Sequence, residues 1–135
     1  MGALQVLEDK LSGQGFHVLG FLENDFGGQG GDMGQIDACT NKYHVTFPQF
    51  QLGHVVGPET QPVFAWLYKQ PNPGPAPSVQ PPWNFQKWLI SRDGKLVADW
   101  DPNVWPGADP SDPTSTFDGS PVVIAIKAEI AKPKP

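Results

Sequence analysis

Residues 81–97 read PPWNFQKWLISRDGKLV, and this stretch carries the strongest local signal in the chain. Two β-rich runs within residues 87–101 flank Asp93-Gly94, a pair that favours a two-residue hairpin turn. Trp83 and Asn84 stand just before the first run and supply an indole N–H and a carboxamide. Because these hydrogen-bond donors are neutral, they can hold an anion without titrating. The stretch therefore predicts a β-hairpin that follows a pair of candidate functional residues.

The rest of the chain alternates helical and strand patterns. Leucines at positions 4, 7 and 11 recur at helical spacing and predict an amphipathic helix over residues 3–12. The run GFHVLGF over 15–21 is typical of a buried parallel strand, in which His17 would be a satisfied core histidine. Further patterns predict helices over 33–43, 60–70 and 121–131 and an extended segment over 45–51. This order favours an α/β layer fold with helices on both faces, in one domain of 135 residues.

Composition excludes several classes of function. The net charge is −5 with nine Lys and Arg, and no basic stripe occurs, so nucleic acid is not an expected partner. No apolar run approaches the ~18 residues of a membrane span. The single cysteine permits no intrachain disulfide and no Cys₂His₂ metal site. The three histidines are isolated in the sequence, and we expect neither a metal nor a cofactor.

A second informative segment is FHVLGFLENDFGGQGG at residues 16–31, whose glycine-rich loop carries Gln29. With WNFQKWLISRDGKLV at 83–97, it resembles the glutathione peroxidase family, whose motifs are GFP-x-N-Q-F-G-x-Q-E after a buried strand and W-N-F-x-K-F-L further on. The chain departs from the first motif at Leu22 for proline, Asp25 for glutamine and Gly30-Gly31 for Glu-Pro. Trp88 replaces phenylalanine in the second. Either motif alone would indicate a core aromatic or a surface loop; together they favour the family.

The resemblance implies a thioredoxin-like α/β domain of three layers over residues 1–135. It implies a peroxidase that reduces hydrogen peroxide or organic hydroperoxides with a thiol, in response to oxidative stress. By the same resemblance, Gln29, Trp83 and Asn84 fill three of four places in the catalytic tetrad. Their role would be to lower the pKa of a nucleophilic thiol or selenol and to orient the peroxide.

Cys39 lies in IDACTNKYHVTFPQF and resembles a second feature of the family. Members that use thioredoxin rather than glutathione carry a resolving cysteine in a C-T-x-x-[FY] setting. A sulfenic acid on the nucleophile would condense with this thiol, and thioredoxin would reduce the resulting disulfide. The alternative is a buried structural cysteine, since a free cysteine packs as a small apolar residue.

The fourth tetrad place, a cysteine or selenocysteine, would precede Met1 by the family's spacing. We therefore expect a domain that lacks its N-terminal β segment, and a chain that is inactive alone and prone to self-association through an exposed sheet edge. An upstream selenocysteine codon read as a stop, a wrongly chosen start and a degenerate gene would each explain this. Two other functions stay open: a binding module without catalysis, and a weak peroxidase that uses Cys39 itself.

Overall fold

The computed structural model describes residues 1–28, 32–71 and 80–134. A 3-10 turn, Ser12–Gln14, follows the first helix. In chain order the elements are α1 (Gly2–Leu11), β1 (Gly20–Phe21), α2 (Met33–Lys42), β2 (Gln49–Phe50), α3 (Pro62–Leu67), β3 (Lys87–Ile90), β4 (Leu96–Trp100) and α4 (Pro121–Ile130). The four predicted helices and the β-hairpin are confirmed, with α3 shorter than its pattern indicated.

The strands of the described residues form two two-stranded sheets. Strands β1 and β2 pair in parallel, with Gly20 opposite Gln49 and Phe21 opposite Phe50. Strands β3 and β4 form the antiparallel hairpin, with a bulge between Leu89 and Ile90. Strand β3 begins at Lys87, three residues after Asn84, so the Trp83-Asn84 pair lies just ahead of the antiparallel sheet.

The strand prediction over 15–21 is wrong in length, although its parallel pairing is right. Only Gly20 and Phe21 form ladder pairs. The Val18 amide donates instead to the Glu8 carboxylate at 2.8 Å, and Leu19 is exposed. The segment before β1 thus satisfies its backbone against α1 rather than against another strand.

His17 is also placed differently from the prediction. Its side chain is 61% exposed, and its Nδ1 lies 2.9 Å from Glu8 Oε1. The histidine therefore sits at the surface. The apolar run around it misled the prediction because alternation across an extended segment points every second side chain outward.

The hairpin turn is longer than the two residues predicted. The Ser91 amide donates to the Lys95 carbonyl at 2.9 Å, and the Gly94 amide donates to the Ser91 carbonyl at 3.0 Å. Three residues therefore lie between the last paired positions, and Gly94 has a φ of 77°. A three-residue loop needs one residue in the left-handed region, which glycine adopts without steric cost.

One apolar core joins α1 and α4 to the hairpin. Leu7, Leu11 and Val123 are its fully buried side chains, and Val18, Phe47 and Leu89 pack with them. A second, smaller cluster comprises Val55, Phe64 and Leu67, with Phe21, Phe26, Trp88 and Leu96 packed against it. Because Phe26 belongs to the loop after β1, this second cluster connects that loop to the hairpin.

Candidate active site

Trp83 and Asn84 lie in a tight bend that precedes β3. Phe85, the next residue, has a φ of 66°, in the left-handed region that a bulky side chain rarely adopts. A residue held there costs about 1–3 kcal/mol and persists only where the surroundings fix it. Such strain is common at functional sites, and here it occurs directly after Asn84.

Both residues contact Phe26, which precedes Asn84 by 58 positions in the sequence. Asn84 Nδ2 donates to the Phe26 carbonyl at 3.4 Å. The Trp83 and Phe26 rings are 5.8 Å apart between centroids and tilted by 39°, within the range of favourable aromatic pairs. The structure thus brings Trp83, Asn84 and the loop after β1 together, as the joint presence of the two motifs predicts.

Trp83 and Asn84 also line one pocket of about 290 Å³. Trp83 is 48% exposed, so its side chain lies partly at the surface of the pocket. The remaining wall is mainly apolar and comes from the start of α1, the residues around Phe85 and the loop after β4: Met1, Ala3, Leu4, Phe85, Lys87, Pro102, Asn103, Val104, Trp105 and Pro106. This pocket combines apolar walls with a few polar groups, the usual character of a small-molecule site.

Lys87 is the one lysine among the lining residues of this pocket. Its Nζ donates to the carbonyls of Pro102 at 3.1 Å and Asp101 at 3.4 Å. Burial lowers the pKa of Lys87 to about 8, although the charge of Asp101 opposes the shift. Desolvation penalises a charged amine, so the neutral form of Lys87 is reached at a lower pH than for an exposed lysine.

Cys39 is exposed on α2, so the alternative of a buried structural cysteine is wrong. Helix α2 begins with a capping box, in which Asp32 accepts from the Gln35 amide and Gln35 accepts from the Asp32 amide. Cys39 does not line the pocket. Burial lowers the pKa of the Met1 amino group at the pocket's edge.

Gln29, the third predicted residue of the site, lies outside the described residues. The turn before it, residues 25–28, is held from both sides. Glu23 Oε2 accepts from the amides of Asp25 and Phe26. Burial raises the pKa of Glu23, and these two amide hydrogen bonds oppose the shift.

The contact that holds this turn from the other side, between Asp25 and the segment 54–56, was not predicted from the sequence. Asp25 Oδ1 lies 2.7 Å from His54 Nδ1, and Asp25 Oδ2 accepts from the Val55 and Val56 amides at 2.7 and 3.1 Å. Asp25 was visible only as a departure from the motif, and His54 only as an isolated histidine. Their 29-residue separation leaves no local pattern that could have joined them.

A membrane-spanning helix and a metal centre are both absent from the described part of the chain. None of its helices is long and apolar enough to cross a membrane. Within residues 1–28, 32–71 and 80–134, no group of three or more His, Cys, Asp and Glu side chains could hold a metal ion.

Comparison with known proteins identifies the family of this chain. The family model described as "Glutathione peroxidase" matches residues 2–68. The "Glutathione peroxidase homolog BsaA" of Halalkalibacterium halodurans is 40% identical over 105 residues, which are 76% of this chain and 66% of that protein. The chain belongs to the glutathione peroxidase family.

Two further members show the breadth of the likeness. The "Hydroperoxy fatty acid reductase gpx1" of Synechocystis sp. is 40% identical over 102 residues, 70% of this chain and 59% of that protein. Human "Glutathione peroxidase 7" is 38% identical over 104 residues, 76% of this chain and 52% of that protein. The chain thus spans between about half and two thirds of the length of the curated relatives that it matches.

A solved glutathione peroxidase supports the fold of this family member. The crystal structure of "Trgpx in apo form" matches with a TM-score of 0.67 and 28% identity, and the match covers 98% of this chain and 71% of that one. The predicted thioredoxin-like α/β fold of the glutathione peroxidases is therefore confirmed.

The lowered pKa of Lys87 gives a direct test of the pocket's environment. After reductive methylation with ¹³C-formaldehyde, we expect the Lys87 methyl resonance to titrate with a midpoint of about 8. Lys95 is the matched control, because Asp93 raises its pKa above the usual 10.5, so it stays charged where Lys87 is half titrated. A Lys87 midpoint equal to that of Lys95 would show that the pocket does not desolvate the amine.

Proposed function

We propose that the protein is a thiol-dependent peroxidase that reduces hydrogen peroxide or organic hydroperoxides. The observation that carries the proposal is that Trp83 and Asn84 line one pocket and contact the loop that precedes Gln29. Family membership supplies the reaction class. Because the chain spans only part of its relatives, the proposal concerns the protein that the complete gene encodes.

The chemistry needs a nucleophile beside these donors. A thiolate or selenolate attacks one oxygen of the hydroperoxide, the O–O bond breaks, and the alcohol leaves after it takes up a proton. The attacking atom is oxidised to a sulfenic or selenenic acid. The Trp83 indole N–H and the carboxamides of Asn84 and Gln29 would stabilise the anionic nucleophile and the leaving oxygen, because neutral donors in an apolar pocket keep their protons.

Cys39 is proposed as the resolving residue rather than the nucleophile. Its thiol would attack the oxidised atom, water would leave, and a disulfide or selenylsulfide would form. Thioredoxin would then reduce that bond by exchange and become a disulfide itself; glutathione is the alternative reductant. The exposure of Cys39 supports this role, since the thiol must reach first the nucleophile and then a partner protein.

The nucleophile is proposed to be a cysteine or selenocysteine outside these 135 residues. Cys39 is the single cysteine of this sequence, and it does not line the pocket with Trp83 and Asn84. Two other functions follow if the proposal fails. The protein would be a binding module that keeps the pocket without catalysis, or a weak peroxidase in which exposed Cys39 reacts with peroxide.

Substitution of Trp83 by phenylalanine tests the donor role. Phenylalanine keeps an aromatic ring beside Phe26 but removes the indole N–H, so we expect kcat/KM for hydroperoxide to fall about 10²-fold. The measurement is peroxide consumption coupled to thioredoxin and NADPH oxidation, with the protein that the complete gene encodes. Trp66→Phe is the matched control, because Trp66 is similarly exposed but lies on α3. Equal rates for Trp83→Phe and wild type would refute the assigned role.

Cys39→Ser separates the proposal from both alternatives. We expect this variant to reduce one equivalent of peroxide at the wild-type rate and then to lose thioredoxin-coupled turnover, because the oxidised nucleophile cannot form its disulfide. Stopped-flow single-turnover kinetics and the coupled assay measure the two steps separately. If Cys39 is the nucleophile, the first equivalent is lost as well. A wild-type protein that consumes no peroxide would be a binding module.

A further inference from the structure

The contact between Asp25 and His54 joins two loops that lie on either side of the second apolar cluster. The Asp25 carboxylate is only 10% exposed, whereas the His54 ring is 54% exposed. Both carboxylate oxygens of Asp25 are occupied, one by His54 Nδ1 and the other by the Val55 and Val56 amides. A shielded carboxylate with three donors holds its position far more strongly than an exposed surface ion pair does.

This contact sets the orientation of Phe26. Asp25 and Phe26 are consecutive, and their amides both donate to Glu23 Oε2. The turn is therefore fixed through its backbone by Glu23 and through the Asp25 side chain by the segment 54–56. With the turn fixed in this way, the Phe26 carbonyl meets Asn84 and the Phe26 ring meets Trp83.

We propose that Asp25 and His54 are positioning residues for the Trp83–Asn84 pair. Their ion pair holds the turn at 25–28, and the turn holds Trp83 and Asn84 through Phe26. The positioning follows from the contacts alone, whereas its relevance to catalysis rests on the proposed peroxidase function. Neither Asp25 nor His54 would touch peroxide, so the ion pair acts on the donors rather than on the reacting atoms.

The positioning depends on pH through the charge of His54. The hydrogen bond and the charge of Asp25 raise the pKa of His54 above its usual 6.5, and Glu59, 3.4 Å from Nε2, adds to the shift. Burial alone would raise the pKa of Asp25, but the hydrogen bonds from His54, Val55 and Val56 outweigh burial and lower it below its usual 3.8. Burial raises the pKa of Glu23 in the same loop and of Tyr68 at the end of α3, and the charge of Asp25 adds to both shifts.

The sign of the pH effect follows from these two directions. A raised histidine pKa gives stabilisation that is complete below 6.5 and is lost as pH rises through the folded-state pKa. A lowered aspartate pKa gives stabilisation that is present above 3.8 and is lost as pH falls through the folded-state pKa. The pair is therefore strongest in mildly acidic solution, and Trp83 and Asn84 are held less firmly once His54 becomes neutral.

The test follows the side-chain resonances of Trp83 and Asn84 from about pH 5 to about pH 9 by ¹H–¹⁵N correlation NMR. In wild type we expect both to shift with the midpoint of the His54 ring, above 6.5. In Asp25→Asn the His54 midpoint should fall back toward 6.5, and the Trp83 and Asn84 resonances should no longer follow it. In His54→Gln the shift that follows His54 should be absent, and only the contributions of Lys87 and the Met1 amino group, which line the same pocket, should remain.

A matched control is available at a second histidine–carboxylate contact. His17 and Glu8 form a similar pair at 2.9 Å, so His17→Gln should leave the Trp83 and Asn84 titrations unchanged. Because the His54 ring is exposed, His54→Gln removes no core contact. A shift of Trp83 and Asn84 that keeps its wild-type midpoint and size in His54→Gln, or the lack of a shift at the His54 midpoint in wild type, would overturn the proposal. Since no peroxide is present, this outcome is independent of whether the protein is a peroxidase.

Discussion

The contact of Phe26 with Trp83 and Asn84 is the interaction on which the rest of the site depends. It joins the loop after β1 to the bend before β3, two segments that belong to different two-stranded sheets. The second apolar cluster also joins these segments, but the contact with Phe26 is the one that reaches Trp83 and Asn84 themselves. With it, the turn at 25–28 contacts the aromatic–carboxamide pair, which lines the pocket together with Phe85.

The proposed function relies on uncharged donors in the pocket. An indole N–H and a carboxamide do not change protonation within the physiological range, so they can stabilise an anion throughout it. The titratable groups are not themselves the donors. Lys87 lies in the pocket wall, and Asp25 with His54 holds the turn at 25–28. This separation leaves the donors constant while pH acts on the groups that hold them.

Much of the fold could be predicted because its signals are local. The leucines of α1, the prolines at the starts of α3 and α4 and the Asp93-Gly94 turn all act within a few residues. Predictions failed where a distant partner decides the local structure. Glu8 takes the Val18 amide and the His17 ring, so the strand over 15–21 shortens and His17 moves to the surface.

The residues of the candidate site also differ in whether a local sequence pattern indicates them. Trp83 and Asn84 were predictable because their motif is contiguous, and Cys39 was predictable as a candidate thiol from its setting. Asp25 and His54 were not, since each looks ordinary alone and only the folded chain brings them within 2.7 Å. The strain at Phe85 is equally invisible in the sequence, because nothing in a phenylalanine indicates a positive φ.

The most direct test of this account is a nuclear Overhauser contact between the ring protons of Phe26 and the indole protons of Trp83. We expect this Overhauser contact to be present, because the ring centroids are 5.8 Å apart. The stacked Phe21–Phe50 pair, with centroids 4.5 Å apart, serves as the internal control. A spectrum that shows the Phe21–Phe50 contact but none between Phe26 and Trp83 would contradict the assembly of the site described above.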